Sequence, residues 1–77
     1  MSARRLKLFG THFCHLCDQA KAILREADIE FEYVDIAADE GLIEKYGTRI
    51  PVVQRIDSNE ELGWPFDATM FAKWLND

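Results

Sequence analysis

Cysteine is scarce in this chain, with two residues in seventy-seven, Cys14 and Cys17. Two thiols are a thin framework for a disulfide-stapled secreted domain, so the fold must rest on a hydrophobic core. Proline and glycine are sparse as well, at two and four, and no linker, internal repeat or low-complexity tract can be read. Long apolar runs are missing. The basic opening Met1-Ser2-Ala3-Arg4-Arg5 is followed by apolar residues only from Leu6 to Phe9, interrupted by Lys7. That is too short for the apolar segment of a secretory signal, and nothing later approaches a membrane-spanning length. Cations are outnumbered, nine Lys and Arg against fourteen Asp and Glu, for a formal charge of −5. Such a surface repels phosphate backbones and anionic lipid. The expectations are no nucleic-acid partner, no membrane role and a cytoplasmic location, where a reducing milieu favours catalytic or metal-binding use of paired thiols.

What is present suffices for one small core. Hydrophobic residues make up 48% of the chain and aromatics 12%, well away from disordered compositions. A single domain over residues 1–77 is expected. Arg5-Leu6-Lys7-Leu8-Phe9 alternates before Gly10 and reads as a strand. From Cys14, the apolar residues Leu16, Ala20, Ile23, Leu24 and Ala27 mark one helix face. Phe31 to Asp35 alternates again, with β-favouring side chains. Asp39 is placed to cap a helix with the stripe Leu42, Ile43 and Tyr46, and Gly47 stands where a left-handed residue would end it. Pro51 opens Val52-Val53-Gln54-Arg55-Ile56, Asp57-Ser58-Asn59 is a turn, and Glu60 to Trp64 returns as a hairpin strand. Asp67 caps a last helix with Met70, Phe71, Trp74 and Leu75 inward, and Phe66 and Phe71 occupy hydrophobic-staple positions. The order is β-α-β-α-β-β-α, giving a mixed four-stranded α/β sheet packed by three helices.

The stretch Phe13-Cys14-His15-Leu16-Cys17 is where chemistry concentrates. Two thiols three positions apart at a helix start can close a disulfide, bind a soft metal or do neither. Disulfide exchange needs a thiolate nucleophile, a second thiol close enough to resolve the mixed disulfide, and a docking surface. Cys14, at the helix terminus, faces unpaired N–H groups and the positive end of the dipole, so it is expected to attack. Cys17, one turn on, is expected to be enclosed and to resolve. A helix terminus supplies roughly 0.3–1 kcal/mol, or about 2 when partly buried, so the dipole alone lowers a thiol pKa by no more than about one and a half units. His15 and Arg49 are candidates for further tuning, His12 reads as loop, and Asp18 would oppose.

Three segments together carry a resemblance. Cys-x-x-Cys at a strand-to-helix junction, Lys45-Tyr46-Gly47-Thr48-Arg49-Ile50-Pro51 before the third strand, and Leu62-Gly63-Trp64-Pro65-Phe66-Asp67 before the last helix resemble the thioredoxin superfamily. Order and length are most similar to small glutaredoxin-like bacterial proteins, over essentially the whole chain. The resemblance implies a thioredoxin-like (glutaredoxin-like) fold, a cis bond before Pro51 with Ile50 presenting its backbone to substrate, and thiol–disulfide oxidoreductase activity. It also implies glutathione as a co-substrate gripped near Gly63 and Asp67, with no tightly bound cofactor. Partners would be a disulfide-containing protein or a glutathione mixed disulfide, met by a monomer. The chain departs from the glutaredoxin pattern where Trp64 replaces a second glycine and Phe66 a polar residue, which leaves Asp67 with a cap role alone or with glutathione as well.

Two other classes stay open at this level. In a metal carrier, Cys14 and Cys17 would hold Cu(I) or half a zinc site, with His12 or His15 as a third ligand. Small copper chaperones have a similar Cys-x-x-Cys but end on a strand, whereas this chain is expected to end on a helix. A binding module of the same fold would dock a partner, or bridge an iron–sulfur cluster, without catalysis.

Overall fold

A computed structural model describes residues 6–76 of the chain. Strand β1 (Leu6–Gly10) runs parallel to β2 (Phe31–Asp35), with Leu6 opposite Phe31 and Gly10 opposite Asp35. Helix α1 (His15–Glu26) makes the crossover between them. Strand β3 (Val52–Arg55) lies antiparallel on the other side of β1, and β4 (Glu61–Gly63) pairs antiparallel with β3. The sheet order is β2-β1-β3-β4, and helices α2 (Glu40–Tyr46) and α3 (Ala68–Leu75) complete the thioredoxin-like arrangement. The one element not foreseen is a short 3-10 turn, Ile36–Ala38, capped by Asp35 through Ala37 N–H at 2.9 Å. Arg5, read above as the start of the first strand, lies outside the described residues.

Side-chain alternation along β1 divides the core in two. Leu6 and Leu8 point to the α1/α3 side and join Ala20, Leu24, Val53, Phe66 and Phe71. Phe9 points the other way and joins Ile36, Tyr46 and Val52, with Leu42 of α2 packed against them. Each fully buried Leu, Val or Phe contributes roughly 1.5–3 kcal/mol of transfer free energy, so the larger cluster is the main source of stability.

The caps follow from the side chains that precede each helix. Asp39 Oδ1 accepts from Gly41 N–H at 2.8 Å and Asp67 Oδ1 from Met70 N–H at 2.8 Å, satisfying donors left over at a helix start. Phe66 and Phe71 meet with ring centroids 6.2 Å apart, the staple expected at α3. Helix α1 ends in a Schellman motif: Ile29 N–H reaches Leu24 O at 3.2 Å and Asp28 N–H reaches Arg25 O at 3.0 Å. Asp28 takes the left-handed position at φ 58°.

Four side chains assigned to the core by periodicity are exposed instead: Leu16, Ala27, Ile43 and Met70. The buried stripe of α1 is Cys17, Ala20 and Leu24, which turns Leu16 to the rim of the thiol site. Gly47 is not left-handed either. Its φ of −48° and ψ of −39° are right-handed, and a Cβ there would press on the Ile43 carbonyl oxygen, so close approach, not handedness, is what glycine allows here.

Candidate active site

Cys14 and Cys17 are joined as a disulfide with Cα atoms 5.1 Å apart. Cys14 is the N-cap of α1, in extended backbone conformation, and its Sγ accepts the Cys17 N–H at 3.1 Å. A backbone N–H of the first helical turn is thus aimed at sulfur, which favours a thiolate there. Exposure separates the two cysteines: Cys14 is half-buried, whereas Cys17 is 0% exposed. An incoming group meets Cys14 first.

The sheet brings further residues to this helix start. Phe9 stands opposite Val52 and Val52 opposite Gly63. One step beyond, the same register sets Pro51 between Gly10 and Trp64, and Trp64 N–H donates to Pro51 O at 3.1 Å. Pro51 is buried, and the Ile50–Pro51 peptide is cis. Ile50 N–H is already donated to Tyr46 O at 3.2 Å, which leaves the Ile50 carbonyl as the group that could pair with an incoming strand. Gly63 is exposed at the end of β4, and Asp67 is exposed with Oδ1 engaged by the cap.

The tuning candidates have separate environments. His15 is exposed on the first turn of α1. Arg49 pairs with Glu61 at 3.5 Å, lies 5.6 Å from the Tyr46 ring and donates its backbone N–H to Tyr46 O at 2.7 Å. His12 Nε2 sits 3.2 Å from Asp35 Oδ2. Glu61 is the hub behind the Ile50–Pro51 loop, taking a short hydrogen bond from the Tyr46 hydroxyl and another from Gln54 Nε2 at 3.2 Å. Burial first, and then Glu61, pushes the Tyr46 hydroxyl up to about 12. Among the described residues no group of three or more His, Cys, Asp and Glu side chains could hold a metal ion, and no helix is long and apolar enough to cross a membrane.

Three residues at the site escaped sequence reasoning. Phe13, just before Cys14, is in the left-handed region at φ 57° with its ring fully exposed. A bulky residue in that conformation carries local strain of order 1–3 kcal/mol, and nothing in its apolar character signals it. Gly10 is required by close approach: a Cβ there would run into the Tyr33 hydroxyl and stand 2.9 Å from Cys17 Sγ. A glycine closing a strand just before the thiols was the available signal. Tyr33, marked in the sequence only as part of the alternating strand Phe31 to Asp35, brings its hydroxyl to the same space beside Gly10 as Cys17 Sγ and donates to Thr11 O at 2.9 Å. Burial and the nearby Asp35 and Asp18 carboxylates raise its pKa.

The family model described as Glutaredoxin-like domain (DUF836) matches residues 5–76. Among solved structures, the protein XcR50 from X. campestris is 42% identical over 92% of this chain and 95% of its own, with a TM-score of 0.87. Reduced Escherichia coli glutaredoxin is 26% identical over 94% of this chain and 93% of its own, TM-score 0.58. Thioredoxin 1 from Thermosipho africanus, at 17% identity with 94% of each chain covered and a TM-score of 0.58, shares the fold. A search of the curated proteins finds no match.

Proposed function

Because the chain belongs to the glutaredoxin-like domain family, we propose that it is a thiol–disulfide oxidoreductase in which Cys14 attacks and Cys17 resolves. The observation that carries this reading is the asymmetry of the pair: one half-buried cysteine whose sulfur accepts a helix N-terminal N–H at 3.1 Å, the other fully buried. The Cys14 thiolate attacks one sulfur of a substrate disulfide, the substrate S–S bond breaks, and its second sulfur leaves as a thiolate that takes a proton from water. Cys17, ionised, then attacks Cys14 Sγ, releases the first substrate sulfur and restores the Cys14–Cys17 bond. A thiol reductant reopens that bond for the next cycle.

The Ile50 carbonyl beside Pro51 is the docking group for the peptide flanking the substrate sulfur, a single backbone contact because the N–H is committed to Tyr46. Exposed Phe13 and Leu16 offer that peptide apolar area next to Cys14, which favours a disulfide-containing protein as substrate. Glutathione acts as the small co-substrate, with Gly63 and Asp67 as its contacts, no cofactor is tightly bound, and the monomer works in the reducing cytoplasm. The element order weighs against the copper-chaperone alternative, since α2 stands between β2 and β3 where a β-α-β-β-α-β chain passes directly from strand to strand.

The test is a trapping comparison. Cys14→Ser is expected to abolish exchange, and Cys17→Ser to accumulate mixed disulfides with substrate, read by mass spectrometry. Equal trapping by both variants would contradict the assigned roles.

A further inference from the structure

Cys17 lies in a fully buried position, where an ionised sulfur is disfavoured unless something donates to it. Among the described residues no charged side chain is fully buried, and the buried tyrosine, Tyr46, lies in the cluster on the other face of the sheet. Tyr33, half-buried on β2, is the polar group that comes to the spot. Its hydroxyl and Cys17 Sγ both border the space a Cβ of Gly10 would occupy, so the absent side chain at residue 10 is what leaves that space open between them. The side chain is held at two points. Its hydroxyl donates to Thr11 O at 2.9 Å, and Lys21 Nζ stands 4.0 Å from its centroid. The other charges facing it are Asp18, beside Lys21 on α1, and Asp35, paired with His12 at the end of β2.

We propose that the Tyr33 hydroxyl is the group that stabilises the thiolate of Cys17, making Tyr33 a participant in opening and closing the active-site disulfide. This rests on the exchange reading above. When a small thiolate, such as that of glutathione, attacks Cys14 Sγ, the Cys14–Cys17 bond breaks and its electron pair goes to Cys17 Sγ. Tyr33 O–H then turns from the Thr11 carbonyl to that anion and donates to it. In the reverse direction Cys17 gives its proton to water, is held as thiolate by the same hydroxyl, and attacks Cys14 Sγ of the mixed disulfide. The incoming sulfur departs as a thiolate and is protonated from water. No proton leaves Tyr33 in either direction. Its raised pKa suits this, because a tyrosine that holds its proton through the working range stays a donor. Burial first, and then the neighbouring Asp35 and Asp18 carboxylates, keep it protonated.

The experiment measures the Cys17 pKa by thiolate absorbance in Cys14→Ser, with and without Tyr33→Phe. Losing one hydrogen bond to an anion is expected to raise that pKa by about one unit. In the variant that keeps both cysteines, resolution slows about threefold near neutral pH. A tenfold loss of thiolate is offset by roughly threefold higher intrinsic nucleophilicity of the more basic sulfur. A Cys17 pKa that does not move in folded Tyr33→Phe overturns the proposal, while normal exchange by the unaltered protein keeps the oxidoreductase reading intact. Absence of exchange in the unaltered protein sinks that reading instead, and the pKa comparison still decides whether Tyr33 bonds the sulfur. If Tyr33→Phe does not fold, the Cζ resonance of Tyr33 in Cys14→Ser serves. It is expected to titrate together with Cys17, and a flat resonance through that titration overturns the proposal.

Discussion

The two faces of the sheet solve different problems. On the α1/α3 side the core is large and apolar, from Leu6 and Leu8 through Leu24 and Val53 to Phe66 and Phe71, and it carries the thiols at one end. On the α2 side four buried residues, Phe9, Ile36, Tyr46 and Val52, are supplemented by polar bonds, with the Tyr46 hydroxyl, Arg49 and Gln54 all gathered on Glu61. Helix α2 has seven residues against twelve in α1, too few to bury a long stripe. Hydrogen bonds therefore do on that side what area does on the other. The lesson is that the stiff apolar face presents the reactive sulfurs, while the hydrogen-bonded face fixes the loop that ends in Ile50–Pro51.

The comparison breaks most completely at the sulfurs. Cys14→Ser should remove exchange altogether, and no substitution on the α2 face should do so; an α2-face variant that folds but loses exchange would show that the division of labour is wrong. Next comes the large core. Phe71→Ala should cost about 3–5 kcal/mol, read from urea denaturation midpoints, enough to unfold much of a domain this small. On the other face, Tyr46→Phe should cost about 1.5–3 kcal/mol, the range for a hydrogen bond to a charged group, and leave exchange within about twofold of the parent. Smallest is Arg49→Gln, whose exposed ion pair with Glu61 should be worth about 0–1 kcal/mol.

A pH scan sharpens the same contrast. The Tyr46 hydroxyl is raised in the folded protein from 10.0 to about 12, by burial and then by Glu61. A folded-state pKa above the unfolded one means its contribution is complete below pH 10 and is lost as pH rises towards 12. Alkaline unfolding in that window should be weaker in Tyr46→Phe, which has no phenol to ionise at that site. Equal alkaline sensitivity in both proteins would remove the Tyr46–Glu61 bond from the account.

Much of this was legible in the chain. Asp39 and Asp67 before apolar stripes gave the α2 and α3 starts, and alternation in Leu6 to Phe9 and Phe31 to Asp35 gave the parallel pair. Cys-x-x-Cys at the first junction located the site. Periodicity failed where apolar residues serve something other than the core. Leu16 and Met70 sit on helices yet face solvent, because apolar character does not distinguish a packed position from a rim beside a reactive sulfur. Gly47 was misread because glycine near a helix end serves either a left-handed turn or a tight approach, and only backbone angles separate them. Tyr33 could be read only as a strand residue because its neighbours, Gly10 and Cys17, are 23 and 16 positions away in the chain, and the parallel register that unites them is set by tertiary structure. The strained Phe13 left no trace in pattern or propensity.

The central claim is that Cys14 and Cys17 are a working redox couple, and their equilibrium in glutathione buffers tests it most directly. Metal-free protein would be equilibrated across buffer ratios, quenched and read by mass, with the metal content of untreated protein measured alongside. The account predicts a reversible couple between about −200 and −270 mV, the span from glutaredoxins to thioredoxin. Thiols that fail to close a disulfide in any buffer, in a protein that arrives with stoichiometric metal, would contradict it.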